Sequence, residues 1–190
     1  SSDVCSSDLY TGLVTLVQLS ACVLGDKNKM SYDAGISYIR NVLEATRTLQ
    51  KNPDDLDARG IIMLGASLST SSRIGIGKEE PFAYDIYELE FLPEKLFGST
   101  YRRSLTSIFP RFLAAMGRHH AAEVEKYCRD AFGFGSSIEE SSRKLIELFS
   151  GFGAEMYFDG KISREQVDSI PCRTELTPNE VFELMNSLIR

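Results

Sequence analysis

In its last third the chain repeats one piece of punctuation three times: Ser137-Ile138-Glu139-Glu140, Ser163-Arg164-Glu165-Gln166 and Thr177-Pro178-Asn179-Glu180. A serine or threonine followed three residues later by glutamate or glutamine is a capping box. Each side chain accepts from an otherwise free backbone amide of the other, so each instance marks a helix start. Apolar residues at helical spacing follow, Leu145, Ile146 and Phe149 after the first and Val181, Leu184, Met185 and Leu188 after the third. No segment alternates β-branched and polar residues with period two, and Glu155 to Asp159 is the one place where a short extended piece fits. The pattern predicts an all-α fold, a multi-helical bundle.

Upstream the same periodicity recurs. Residues 10–24 form an apolar run, shorter than the about 20 residues that span a bilayer, and read as a buried helix. Leu19-Ser20-Ala21-Cys22 resembles a lipoprotein cleavage box, but no basic region precedes it. Residues 1–9 look like translated sequencing adapter and are set aside, and with no initiating methionine the natural protein is expected to extend upstream. Ile36, Ile39, Val42, Leu43, Thr46 and Leu49 make one face of a helix from Ser31 to about Lys51, which Asn52-Pro53-Asp54-Asp55 stops before capping the next. The segment from Leu56 to Ser72 carries Ala58, Gly60, Gly65, Ala66, Ser67 and Ser69, small residues that predict a helix in the middle of the bundle, with Ile61, Ile62, Leu64 and Leu68 as its apolar contacts.

Gly75-Ile76-Gly77 lacks the third glycine and the preceding strand of a dinucleotide fingerprint and reads as a connection, with Pro81 in the first turn of the next helix. Leu105, Ile108, Phe109, Phe112, Leu113 and Met116 mark a further helix, and Pro110 inside it predicts a kink or break near Ser107. Val124, Cys128 and Phe132 define one more, ended by Gly133 and Gly135.

Composition excludes some partners. With 190 residues, 43% hydrophobic and 25% charged, the chain can bury a substantial core. A net charge of −6 with no long basic run disfavours nucleic acid and anionic lipid. The four cysteines, Cys5, Cys22, Cys128 and Cys172, show neither a C-x-x-C pair nor zinc-finger spacing, which suits reduced thiols in a cytoplasmic protein.

Several motifs, in order, carry a resemblance. Asn52-Pro53-Asp54-Asp55-Leu56-Asp57-Ala58-Arg59 opens the small-residue helix, Met63 to Leu68 continues it, and the Gly75 to Gly77 loop, the Ala83 to Glu90 helix and Leu176-Thr177-Pro178-Asn179-Glu180-Val181 follow. Together they resemble the helical C-terminal domain of the iron-dependent (group III) alcohol dehydrogenases of the butanol dehydrogenase type, over essentially Gly12 to Arg190. The resemblance implies a bundle of that kind for residues 10–190, Fe(II) and NAD(P) as the family's cofactors, and an N-terminal nucleotide-binding domain that this chain does not contain. It also implies where the metal ligands belong. An aspartate and a histidine one helical turn apart, then two later histidines, match Thr15, Leu19, Asp85 and about Tyr101, and another family histidine matches Leu89.

Leucine has no lone pair, threonine is a poor ligand for a divalent transition metal, and tyrosine must first lose a proton. Only Asp85 is a natural ligand, so no metal, catalytic or cofactor-binding residue is assigned. The chain is expected to bind no cofactor and to be inactive alone. Asp85, Glu88 and Glu90 read first as a solvated helix face and second as acid groups in a cleft. His119 and His120, adjacent and therefore about 100° apart on a helix, read as surface residues. Tyr84, Tyr87 and Tyr101 read as core before pocket lining. Three functions remain open: a truncated oxidoreductase with a degenerate iron site, a non-catalytic interaction or assembly module, and a metal-free dehydrogenase completed by an upstream half. Self-association into a homo-oligomer is expected of a half-protein that exposes the apolar face its partner domain would cover.

Overall fold

The computed structural model describes residues 2–79, 82, 85–135 and 137–190, and the side chains of these except 2–6 and 85. Among them the chain is helical with two isolated β-bridges, Asp26 with Lys78 and Phe158 with Ile189, so the all-α expectation holds. The second bridge falls at the end of the segment where the sequence tolerates an extended piece. Pro81, Ala83 and Tyr84 and the side chains of Cys5 and Asp85 lie outside the described residues. No helix among the described residues is long and apolar enough to cross a membrane. The helices fall into two compact units.

The first unit comprises residues 1–83 and 127–134. Its helices are α1 (Ser2–Val23), α2 (Lys29–Lys51) and α3 (Leu56–Ser69). α1 is its central element: Leu13, Leu16, Val17, Leu19 and Val23 are all fully enclosed. It runs back through the segment set aside in the sequence, where Leu9 is buried and Asp8 pairs with Arg59 at 3.0 Å. α2 buries the face read from its periodicity, and Asn28 caps it by accepting from Ser31 N. Asp55 caps α3 in the same way, accepting from Ala58 N.

The expectation that α3 lies mid-bundle is corrected. Ile62 and Gly65 are buried, but Leu56, Met63, Leu64 and Ile61 are 76, 72, 60 and 40% exposed. Small residues allow close approach on one side only, here through Gly65. A Cβ there would stand 2.7 Å from Val42 Cγ2, so this glycine permits a helix contact that any other residue would push apart.

The loop after α3 is held by backbone donors. Gly75 N and Ile76 N donate to Ser31 Oγ at 2.9 and 3.3 Å, and Asp26 Oδ1 accepts from Asn28 N and Gly77 N at 2.9 and 3.1 Å. Gly75 has φ +77° and lies where a Cβ would be 2.4 Å from Cys22 O. The glycines thus serve a tight connection.

The second unit, residues 84–126 and 135–190, is built around α5 (Tyr101–Gly117). α4 (Asp85–Phe97), α7 (Ile138–Gly151) and α9 (Pro178–Asn186) pack on it, and α8 (Arg164–Asp168) is a single turn. α6 (Ala121–Phe132) starts in this unit and ends in the first, where the fully buried Tyr127 donates to Ser20 Oγ and Tyr32 donates to Asp130 Oδ2 at 3.0 Å. Gly133 ends it with φ +74°.

α5 runs unbroken through Pro110, with no helix break near Ser107: Arg111 Nη1 donates to Ser107 O at 2.8 Å, and Ser142 Oγ donates to Pro110 O at 2.7 Å. These bonds brace carbonyls near Thr106 O, the one that the missing Pro110 amide would have met. The capping boxes at Ser163 and Thr177 are complete. At Ser137 only the serine half forms, since Glu140 turns to Lys144 at 2.9 Å.

Candidate functional site

The positions that match the family's metal ligands have distinct surroundings. Thr15 and Leu19 lie one turn apart on α1, on one face, at 1 and 0% exposure. That face meets α3: a Cβ on Gly65 would stand 3.1 Å from Thr15 Cγ2 and 3.6 Å from Leu19 Cδ1. Asp85 opens α4, with its side chain outside the described residues. Leu89 is fully buried on the same helix. Tyr101 is the first residue of α5, behind the capping Thr100, and is 38% exposed, so it is not core; Tyr87 is half-buried. Among the described residues no group of three or more histidine, cysteine or acidic side chains could hold a metal ion.

The acidic face of α4 is not uniformly solvated. Glu88 is half-buried, but Glu90 is 2% exposed, and its Oε1 has no hydrogen-bond partner. Burial, then the Glu94 carboxyl one turn away, raises its pKa to about 8. The solvated-face expectation therefore fails at Glu90, because α4 turns this side chain inward beside Leu89.

His119 is exposed and His120 half-buried, as a surface placement requires. Each meets a glutamate: His119 Nε2 lies 2.7 Å from Glu180 Oε1 and His120 Nε2 lies 2.6 Å from Glu175 Oε1. Glu180 also closes the α9 capping box. The Thr177 amide, with smaller help from the Thr177 hydroxyl and His119, lowers its pKa to about 2. These are local clamps between the α5 end and the α9 start.

One polar residue escaped the sequence reading. Arg111 is 7% exposed in the middle of α5 and lines an open cleft of about 310 Å³ between α5, α7 and α9. The signal was available: Arg111 is the only charged or polar residue between Ile108 and Met116, inside an otherwise apolar run that should bury all round.

No family model matches the sequence, and no curated protein does. Solved structures do. The NADH-dependent butanol dehydrogenase A of Thermotoga maritima superposes with a TM-score of 0.77 at 17% identity, over 96% of this chain and 52% of that one. The fold is that of the iron-containing alcohol dehydrogenases. The iron-containing alcohol dehydrogenase of Corynebacterium glutamicum gives a TM-score of 0.63 at 16% identity, again over 96% of this chain and 52% of that one. The aldehyde reductase YqhD of E. coli gives 0.61 at 12% identity, over 80 and 42%. The resemblance carried by the sequence motifs is thus borne out in the fold. The chain spans about half the length of these dehydrogenases.

Proposed function

We propose that this chain is the helical region of an oxidoreductase related to the iron-containing alcohol dehydrogenases in which the iron site has been lost, so that the region performs no alcohol–aldehyde chemistry alone. The observation that carries this reading is the packing at Thr15 and Leu19. Both are sealed against Gly65 of α3, whereas an iron centre needs lone pairs aimed at an opening that substrate can reach. A leucine methyl offers none and a threonine hydroxyl is a poor donor to Fe(II). The side chains present at these two positions do not fit the metal. Nucleotide binding is assigned, by the family resemblance, to a separate N-terminal region, and residues 10–190 to one helical region of a cytoplasmic protein.

The test is metal analysis and activity. The chain is expressed with ferrous iron supplied, and the longest product of its gene is assayed for NADH- and NADPH-dependent reduction of butanal. Substoichiometric iron and no reduction by the chain alone are expected; stoichiometric iron overturns the reading.

A second reading, a non-catalytic interaction or assembly module, is favoured by one observation. The outward face of α3 presents Leu56, Met63 and Leu64 at 76, 72 and 60% exposure, more apolar area on one helix face than a surface helix ordinarily leaves bare.

A further inference from the structure

Arg111 is a buried charge without a counter-charge. Its Nε donates to Ser187 O at 3.2 Å and its Nη1 to Ser107 O at 2.8 Å, and the guanidinium carbon lies 4.8 Å from the centre of the Tyr157 ring. No carboxylate among the described residues forms an ion pair with it. Carbonyl dipoles and a ring face offset only part of the cost of desolvating a full charge. Burial lowers its pKa to about 10, with the Tyr157 phenol opposing. Arg190 adds a second cation over the same ring, 5.0 Å from its centre.

The cleft supplies what a ligand would need beyond that charge. Ala114, Ile146 and Leu184 make an apolar wall. Its volume of about 310 Å³ is at the small end of ligand pockets. Three carboxylates also line it. Glu183 is occupied by Arg118 at 2.9 Å and Glu180 by His119 at 2.7 Å, while Glu139 sits in the first turn of α7. These set the sign and size of the anion that fits. Glu139 and the two paired glutamates would oppose the second charge of a phosphate dianion, whereas a monoanion brings only one beside Arg111, whose planar guanidinium suits a carboxylate.

We propose that this cleft binds a small organic monocarboxylate, its carboxylate held by Arg111 and its apolar tail covered by Ala114, Ile146 and Leu184. The site lies wholly within the second unit and is independent of the reading of Thr15 and Leu19.

Calorimetric titration of the full chain at fixed ionic strength tests it, with sodium butyrate as probe and inorganic phosphate and butanol as comparisons. Butyrate is expected to bind saturably, at least tenfold more tightly than phosphate or butanol. Arg111→Lys, which keeps the charge and loses the fork, should weaken butyrate at least tenfold. Since that variant disturbs a buried network and can fail to fold, Ala114→Phe provides the second arm. Ala114 is half-buried on the cleft wall, and a phenyl ring there should fill the cleft and abolish binding while the protein keeps its helical circular dichroism. Absence of saturable butyrate binding, phosphate binding as tight as butyrate, or unchanged binding in Ala114→Phe would each overturn the proposal.

Discussion

The central helix of the first unit, α1, and that of the second, α5, both run through enclosed cores and both carry hydroxyls there. Ser20 donates to Leu16 O at 2.6 Å, Thr106 to Arg102 O at 2.9 Å and Ser107 to Ser104 O at 3.1 Å, so each returns a bond to its own helix. Beyond the hydroxyls the two helices part. The buried side chains of α1 among the described residues are uncharged, whereas α5 buries Arg111 and the neighbouring α4 buries Glu90. The exteriors are reversed. Of the large apolar side chains exposed among the described residues, Met30, Leu56, Ile61, Met63, Leu64 and Ile76 belong to the first unit and only Phe91 and Tyr101 to the second. The central helix of the first unit thus has an uncharged buried face, although Asp26 and Tyr127 are buried elsewhere in that unit, and the unit's surface is sticky, whereas the central helix of the second buries a guanidinium.

The largest expected effect breaks that contrast by charging the buried face of α1. Thr15→Asp with Leu19→His restores the family's residue types at these two positions. A carboxylate and an imidazole would then be enclosed against Gly65, with only each other, one turn apart, as partners. Desolvating both groups costs several kcal/mol that their mutual attraction repays only in part, so the double variant should melt well below the parent, and ferrous iron or zinc should not recover the loss. A variant as stable as the parent without metal would mean that the face between α1 and α3 is more open than its packing implies.

A smaller effect sharpens the contrast from the side of the second unit. Glu90 has its folded pKa raised from 4.5 to about 8 by burial and then by Glu94. Between those values the folded protein keeps a proton that the unfolded chain releases, so stability is full below pH 4.5, falls as pH rises and levels off above about 8. Glu90→Gln cannot ionise. The two proteins should melt alike near pH 4.5 and diverge towards pH 8, with the variant higher by about 5 °C. Parallel melting curves across that range would show that Glu90 is ionised at neutral pH and finds water or a cation.

The helices were legible because their signals are local. Caps at Asp55, Ser163 and Thr177 and the apolar faces of α2, α5 and α9 follow from residues three and four apart. What escaped depends on which side of a helix meets another. Gly60 and Gly65 look alike in sequence, yet a Cβ on Gly60 would meet nothing within 4 Å while one on Gly65 would strike Val42. Glu90 reads as one more acid on a polar helix until α4 is docked. Arg111 was visible as a lone charge in an apolar run, but its lack of a carboxylate is a tertiary fact. The ligand-matching positions were legible as residue types through the family resemblance alone, and the enclosure of Thr15 and Leu19 by α3 only in three dimensions.

The smallest effect on stability concerns the other half of the contrast, the apolar exterior of α3. Met63 and Leu64 point outward at 72 and 60% exposure, so Met63→Lys with Leu64→Glu removes no packing. Surface changes of this kind usually move stability by about 0.5 kcal/mol or less. Association should respond far more. If the face is an assembly surface, the parent chain should show a concentration-dependent mass by light scattering and the double variant should run as a monomer with an unchanged melting temperature. A parent that is already a monodisperse monomer removes the assembly reading. A variant that still associates moves the contact elsewhere, because two opposite charges on adjacent residues cannot be buried in an apolar helix contact without a cost that exceeds its gain.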